Sequence, residues 1–469
     1  MPAHIIPKPQ QLELLGQPAP QVSAKDFESL AAQLADWAPG AALRITEFGS
    51  KADSASPLPH VSATPNKDLP AEGYALALTD ESLTLEAADA SGALYAVNAL
   101  IQALSTEGVE QFRATGHPEY ATRGFMLDIA RHFFGVSTIK RTIDIASTYN
   151  LNRLHLHLSD DQGWRIEIDG LPELTKLAST SDTTNGDGGC LNFDDYEEIQ
   201  QYAELYGMTL VPEIDLPGHT NALLVAIPEI SPDGKPREHY AGTDVGFSWV
   251  HLTSDATWEV LDTIVGSLSR RTRGEYIHLG GDEVLKVDRA EYEAFMTRLG
   301  QLAAKHGKKL TLWHEAAGPQ YPEGTQLQYW TKQFNVDNLQ HLDSTPGLQV
   351  IASPAPNAYL DLMPVADFPL GQDWAGLFTL RDSFDWIPAE QTPAPAELIT
   401  GVETCLWTET IRTEDEIMTM LLPRLPGVAS VAWGSDRDYD TFVSSIVTHS
   451  KDWADRGYNF YRDPEVNWG

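Results

Sequence analysis

The 469 residues suffice for one large barrel with a smaller module, or for two domains, and their composition is that of an ordinary globular chain rather than a disordered or membrane-embedded one. A formal net charge of −35 argues against nucleic acid as a partner, which calls for a basic surface. It suits a neutral or cationic ligand, although a general acidic bias of the surface is the simpler explanation.

The first residues, Met1-Pro-Ala-His-Ile-Ile-Pro-Lys-Pro, lack an apolar signal core, and no run is long enough to span a membrane. The chain as it stands reads as cytoplasmic; a removed signal peptide would leave the same sequence. Residues 1–118 read as a small α+β domain. Tyr74–Thr79 and Ser82–Ala87 are two short apolar runs across Asp80-Glu81, a hairpin signal. Ala93–Leu104 then carries helical apolar spacing. No residue pattern in this domain carries obvious chemistry, and its expected role is that of a structural cap.

From Arg123 the texture changes to alternating strands and helices. The strands expected are Arg123–Asp128, Arg153–Leu158, Met208–Ile214, Tyr276–Leu279, Lys309–Trp313, Gln326–Trp330, Leu348–Ala352 and Gly401–Trp407. Ser137 is a good N-cap for a helix through Tyr149, and Tyr196–Tyr206 reads as a second helix. Eight strands with helical segments between most of them predict a (β/α)8 TIM barrel over 119–469. Pro388–Pro395 reads as a loop. The two cysteines, Cys190 and Cys405, stand in no metal-type spacing. That argues against a disulfide framework or zinc site and leaves room for one bridge; Cys405, in an apolar run, reads as a buried thiol.

Polar and aromatic residues fall at equivalent strand ends. Asp128 and Arg131 follow the first strand, Asp160, Asp161 and Trp164 the second, and Asp215 and His219 the third. Trp313 and Trp330 end the fifth and sixth, Tyr359 and Asp361 follow the seventh, and Trp407 and Glu409 end the eighth. In a barrel these ends converge on one face, where active sites sit. Any one tryptophan alone reads as core packing. Several at matching positions beside acids suggest aromatic stacking on sugar rings, with carboxylates and an arginine for hydroxyls.

The fourth strand carries the chemistry. In Tyr276-Ile-His-Leu-Gly-Gly-Asp-Glu283, ideal strand geometry would point Asp282 and Glu283 apart. The two glycines permit backbone angles that turn both toward one cavity. Adjacent acids can titrate as a pair, one of them favouring its protonated form, as glycosidic cleavage requires. Taken alone, Gly-Gly-Asp-Glu reads equally as a polar turn.

Four stretches together resemble the signatures of family 20 glycoside hydrolases, the β-N-acetylhexosaminidases. They are Gly-Phe-Met-Leu-Asp-Ile-Ala-Arg-His-Phe-Phe from Gly124, His157-Leu-Ser-Asp-Asp-Gln-Gly-Trp164, Pro212-Glu-Ile-Asp-Leu-Pro-Gly-His219 and His278-Leu-Gly-Gly-Asp-Glu283. The resemblance covers nearly the whole chain, with the first domain matching the family's accessory domain. It implies a retaining exo-enzyme on terminal GlcNAc or GalNAc, in which the substrate's 2-acetamido oxygen is the nucleophile. By match, Glu283 is the general acid and base, Asp282 holds the acetamido N–H, and Tyr359 aligns the acetamido oxygen. Arg131, Asp361 and Glu409 bind sugar hydroxyls. Trp313, Trp330 and Trp407 box in the acetamido group and ring, with Trp374 a further pocket candidate. Asp160, Asp215 and His219 support the acid. No metal or cofactor is implied. The expected partner is an oligosaccharide or glycoconjugate, with no nucleic acid or membrane involved, and the oligomeric state stays open.

Three other readings compete. A lacto-N-biosidase specificity exists within the same family. His155 and His157 on one face of a strand, with Asp160, Asp215 and His219 at hand, suggest a metal-dependent amidohydrolase. A sugar-binding protein without catalysis is the third, since fold does not fix function.

Overall fold

The computed structural model describes residues 3–52, 55–342 and 347–468. Its first part is a five-stranded sheet of β1 (Gln11–Pro18), β2 (His60–Pro65), β3 (Tyr74–Leu78), β4 (Ser82–Ala87) and β5 (Glu110–Gly116), in the order β1-β5-β3-β4-β2. β3 and β4 form the expected antiparallel hairpin, Tyr74 opposite Ala87. Strand alternation turns Leu76, Leu78, Leu83 and Leu85 inward. They share one core with Phe27, Leu30 and Leu34 of a helix over Ala24–Leu34, Ile45 of a helix over Pro39–Gly49, and Leu94 and Leu100 of a helix over Ala90–Leu104. The first of these helices opens with a reciprocal cap between Ser23 and Asp26.

The second part is a closed barrel of eight parallel strands: β6 (Thr122–Asp128), β7 (Arg153–His157), β10 (Thr209–Glu213), β11 (Tyr276–His278), β12 (Lys309–Trp313), β13 (Gln326–Tyr329), β14 (Gln349–Ala352) and β15 (Ile399–Leu406). β15 pairs with β6 to close the ring. A two-stranded hairpin, β8 (Ser159–Asp160) with β9 (Gly163–Trp164), stands on the loop after β7. These are the eight strands expected from the sequence, each end shifted by no more than two residues. No helix among the described residues is long and apolar enough to cross a membrane.

Two local expectations are corrected. The helix after β6 runs over Val136–Thr148 and its N-cap is Gly135, so Ser137 lies inside the first turn and caps nothing. Val136 packs against the core, which starts the helix before Ser137. Pro388–Gln391 is a one-turn helix rather than loop, with Pro388 at its first position, where a missing N–H costs nothing. Cys190 is half-buried and Cys405 buried; both are free thiols.

The barrel lumen is filled unusually. Side chains two apart on a strand share a face. His155 and His157 therefore point inward together, as do Thr311 with Trp313, Gln326 with Gln328, and Glu403 with Cys405, all buried. The register sets His157 beside Glu213 and Glu213 beside His278. Where many barrels stack Val, Ile and Leu, this one stacks imidazoles, carboxylates and amides directly under its carboxyl-terminal mouth.

The candidate active site

A cavity of about 340 Å³ opens at that mouth, within the range of small-ligand sites. Arg131, Asp160, His219, Asp282, Glu283, Trp313, Trp330, Tyr359, Asp361, Trp374, Trp407 and Glu409 line it. Every residue given a site role by the family resemblance reaches the cavity except Asp215, which lies just behind it; Asp128, Asp161 and Trp164, also at strand ends, and His155 and His157 do not line it. Thr243, Val245, Gln333 and Gln372 also line the wall and were not anticipated.

The turn after β11 is forced. Gly280 has φ +68°, and a Cβ there would lie 1.7 Å from Asp215 Oδ1, so no other residue fits. Gly281 N–H donates to the same oxygen at 3.3 Å. Glu283 itself takes φ +52°, a sparsely populated conformation for a residue with a side chain. It is held there by Glu315, whose Oε2 accepts the Glu283 N–H at 3.0 Å. Burial, reinforced by the Asp282 charge, pushes the Glu315 carboxyl well above the usual range. Glu315 is a further residue the sequence reading missed.

A chain of charges runs behind the two acids. His219 Nε2 stands 3.3 Å from Glu283 Oε2 and 3.7 Å from Asp282 Oδ2. Its Nδ1 lies 3.1 Å from Asp160 Oδ1. Asp160 Oδ2 meets His157 Nε2 and Arg131 Nη2, each at 2.9 Å. Burial opposes charge on Asp160, yet Arg131 and His219 outweigh it and hold its carboxyl well below the ordinary range. Burial likewise disfavours charge on His219, and Asp160 raises its imidazole well above the ordinary value. Asp282 is pushed up to about 6, by burial first and by the Glu283 charge, against His219. Burial, reinforced by the Asp282 charge, pushes the neighbouring Asp215 carboxyl well above its ordinary range.

At the opposite end Arg131 Nη1 pairs with Asp128 at 3.3 Å, and its guanidinium lies over the Trp407 ring, 4.9 Å from the centroid. Glu409 Oε1 is 3.9 Å from Arg131 Nη2. Asp361 Oδ1 accepts the Trp407 N–H at 3.4 Å. The remaining oxygens, Asp361 Oδ2 and Glu409 Oε2, are buried without a protein donor, so they can accept hydroxyl groups of a ligand. Burial, helped by Glu409, lifts the Asp361 carboxyl well above its ordinary range.

Aromatic rings close the sides. Trp330 stacks near-parallel to Tyr359 at 6.3 Å and meets Trp374 edge-on at 5.7 Å, while Trp313 tilts against Trp407 at 5.8 Å. Burial raises the Tyr359 hydroxyl well above its ordinary value, which keeps it a neutral donor. Trp374 is the exposed one, at the rim.

The histidines that suggested a metal site are otherwise engaged. His155 Nδ1 pairs with Glu403 at 2.8 Å and Nε2 lies 3.1 Å from Glu213; His157 pairs with Glu213 and Asp160. Burial pulls both imidazoles down, but these carboxylates prevail, raising His155 and bringing His157 to about 10.

Residues 120–436 match the model of the glycosyl hydrolase family 20 catalytic domain, and residues 3–116 match domain 2 of that family. The chain belongs to glycosyl hydrolase family 20. A β-N-acetylhexosaminidase of Cellulomonas fimi is 39% identical over 414 residues, 86% of this family 20 hydrolase and 83% of that protein. The solved family 20 β-N-acetylhexosaminidase of Streptomyces coelicolor A3(2) superposes with a TM-score of 0.88 at 35% identity, covering 100% of this chain and 99% of its own. A mutant Streptomyces plicatus β-hexosaminidase in complex with the product GlcNAc gives 0.87 at 35% identity, with 100% and 98% covered.

Proposed function

We propose that this family 20 hydrolase is a retaining exo-β-N-acetylhexosaminidase that removes terminal N-acetyl-β-D-hexosamine by substrate-assisted catalysis. The observation carrying this reading is a single cavity lined by the paired acids Asp282 and Glu283, by Arg131, Asp361 and Glu409, and by the rings of Trp313, Trp330, Tyr359 and Trp407. In this reading the residues that grip the terminal sugar's hydroxyls close that side to a further sugar, which favours removal of single terminal residues.

In the first step Glu283 donates its proton to the glycosidic oxygen as the bond to the anomeric carbon breaks. The acetamido oxygen bonds to that carbon from the opposite face, giving a cyclic oxazolinium ion. Asp282, ionised above pH about 6, accepts the acetamido N–H and balances the positive charge growing on the ring. Tyr359 donates to the acetamido oxygen and aligns it. In the second step the Glu283 carboxylate takes a proton from water, whose oxygen attacks the anomeric carbon and reopens the ring.

Mono-, di- and trifluoroacetamido aryl substrates test the nucleophile. Fluorine withdraws electron density from the carbonyl oxygen, so rates are expected to fall steadily along the series while bond cleavage limits the rate. A 2-hydroxyl substrate is expected to react hardly at all. A flat series with ready turnover of the 2-hydroxyl substrate would point to an enzymic nucleophile. A defined chito-oligosaccharide is expected to release monosaccharide from the start; initial release of mid-chain fragments would refute exo-action.

A further inference from the structure

Glu213 does not line the cavity, yet four side chains converge on its carboxylate. Trp313 Nε1–H donates to Oε1 at 2.8 Å, and His278 Nδ1 lies 2.9 Å from the same oxygen. His155 Nε2 lies 3.1 Å from Oε2, and His157 Nδ1 pairs with that oxygen too. The residue is fully buried at the end of β10, flanked in register by His157 and His278. Burial works against its charge, and His278, His157 and His155 overcome it, keeping the carboxyl well below the ordinary range.

The link that matters is the one to Trp313. This indole is buried in the lumen with one edge on the cavity. Its aromatic neighbours, His155, His278 and Trp407, meet it as tilted rings at 6.2, 5.0 and 5.8 Å. Packing contacts of this kind are weakly directional, whereas a charge-assisted N–H···O bond fixes one atom in direction as well as distance. The anion accepting that bond is itself clamped from two neighbouring strands.

We propose that Glu213 is a positioning residue that sets acyl-group specificity: by pinning the Trp313 indole it fixes the size of the compartment that receives the 2-acylamido group. The proposal rests on the reading of Trp313 as a wall of that compartment. One added methylene in a rigid apolar pocket is discriminated by about 10–200-fold, and only a wall that cannot move delivers that penalty.

The experiment compares kcat/KM for aryl β-glucosaminides carrying 2-acetamido, 2-propanamido and 2-butanamido groups. Glu213→Asp keeps the charge that the histidines need but draws the carboxylate back from the indole. It is expected to lower the acetamido rate and to narrow the acetamido-to-butanamido ratio by about tenfold or more, given the steric penalty per methylene. Replacing Trp313 by benzothienylalanine keeps ring size, removes only the N–H donor and leaves the buried ion pairs intact. The same narrowing is expected there, and this variant decides the matter should Glu213→Asp fail to fold. An equal loss on all three acyl lengths in the variant that folds would overturn the proposal, leaving Glu213 as a charge balance for the histidines. Trp313→Phe separates the two layers of inference. If it leaves the acyl ratio untouched, the wall assignment itself is wrong; if it shifts the ratio while the other two variants do not, only the role of Glu213 falls.

Discussion

Both halves of this chain have a closed interior, and they fill it by opposite rules. The first domain packs Leu30, Leu34, Leu76, Leu83, Leu85 and Leu100 into an apolar core. The barrel lumen holds His155, His157, Glu213, His278, Gln328 and Glu403 at equal burial. Burying charge is unfavourable unless each ion is paired and hydrogen-bonded. The first domain largely avoids that cost, and the cavity draws its lining from the barrel alone. The barrel accepts it because groups in a dry, fixed lattice of charges need no reorganisation when charge develops in a reaction. Substitutions in the two interiors should therefore fail differently, one in activity and the other in stability.

The largest effect is expected at Glu283. Glu283→Gln should lower kcat/KM on substrates with poor leaving groups by about 10²–10⁴-fold, the usual scale of general acid catalysis, with an unchanged melting temperature. Bond cleavage should suffer much less where the leaving group departs without a proton. An equal loss on both kinds of substrate would remove the acid assignment. Next is Asp282→Asn, expected to cost about 10²–10³-fold as the loss of one preorganised electrostatic partner. Asp282 must be ionised to accept the amide N–H. The kcat/KM profile of the unmodified enzyme should therefore fall as pH drops through about 6, and the limb should vanish in Asp282→Asn. A limb that survives at the same pH belongs to another group. Tyr359→Phe should follow at about 10²-fold, the order expected from loss of alignment, and should leave circular dichroism unchanged. The smallest effect on activity tests the other side of the contrast. Leu85→Ala should cost about 2–5 kcal/mol of stability by opening a cavity, while the folded protein keeps its kcat. A loss of kcat at a temperature where this variant stays folded would show that the first domain contributes to the chemistry.

The same contrast explains what was legible in the sequence. The strand ends were, because barrel topology carries residues distant in the chain to one mouth, and motifs such as Gly-Gly-Asp-Glu mark those ends. Asp282 and Glu283 were seen to turn together through the glycines; the left-handed backbone of Glu283 was not, since no residue pattern encodes a strained φ. Glu213 stood in view within Pro212-Glu-Ile-Asp and went unread, because an acid inside a strand gains a role only once its neighbours in the lumen are known. Thr243, Val245, Gln333 and Gln372 come from loops without periodicity. In the first domain the hairpin and its following helix were readable. β2, with one buried residue among six, offers no alternation to detect, whereas the Ser23-to-Asp26 spacing before Ala24–Leu34 was a cap signal available and overlooked.

The seam between the halves has a thermal consequence. Trp433 ends a barrel helix over Arg424–Trp433 but belongs to the core of the first domain, 5.4 Å from Tyr95. Arg123, at the start of the barrel, lies fully buried between them; it donates to Tyr95 Oη at 2.7 Å, pairs with Glu72, and stacks over the Trp433 ring at 5.6 Å. Pulling the domains apart would strip that guanidinium of its anion and lay an indole open to water, each a loss of kilocalories. Neither half can therefore melt at leisure beside an intact neighbour. A calorimetric trace of the whole chain should show a single endotherm, with Leu85→Ala moving the entire peak instead of splitting off a shoulder.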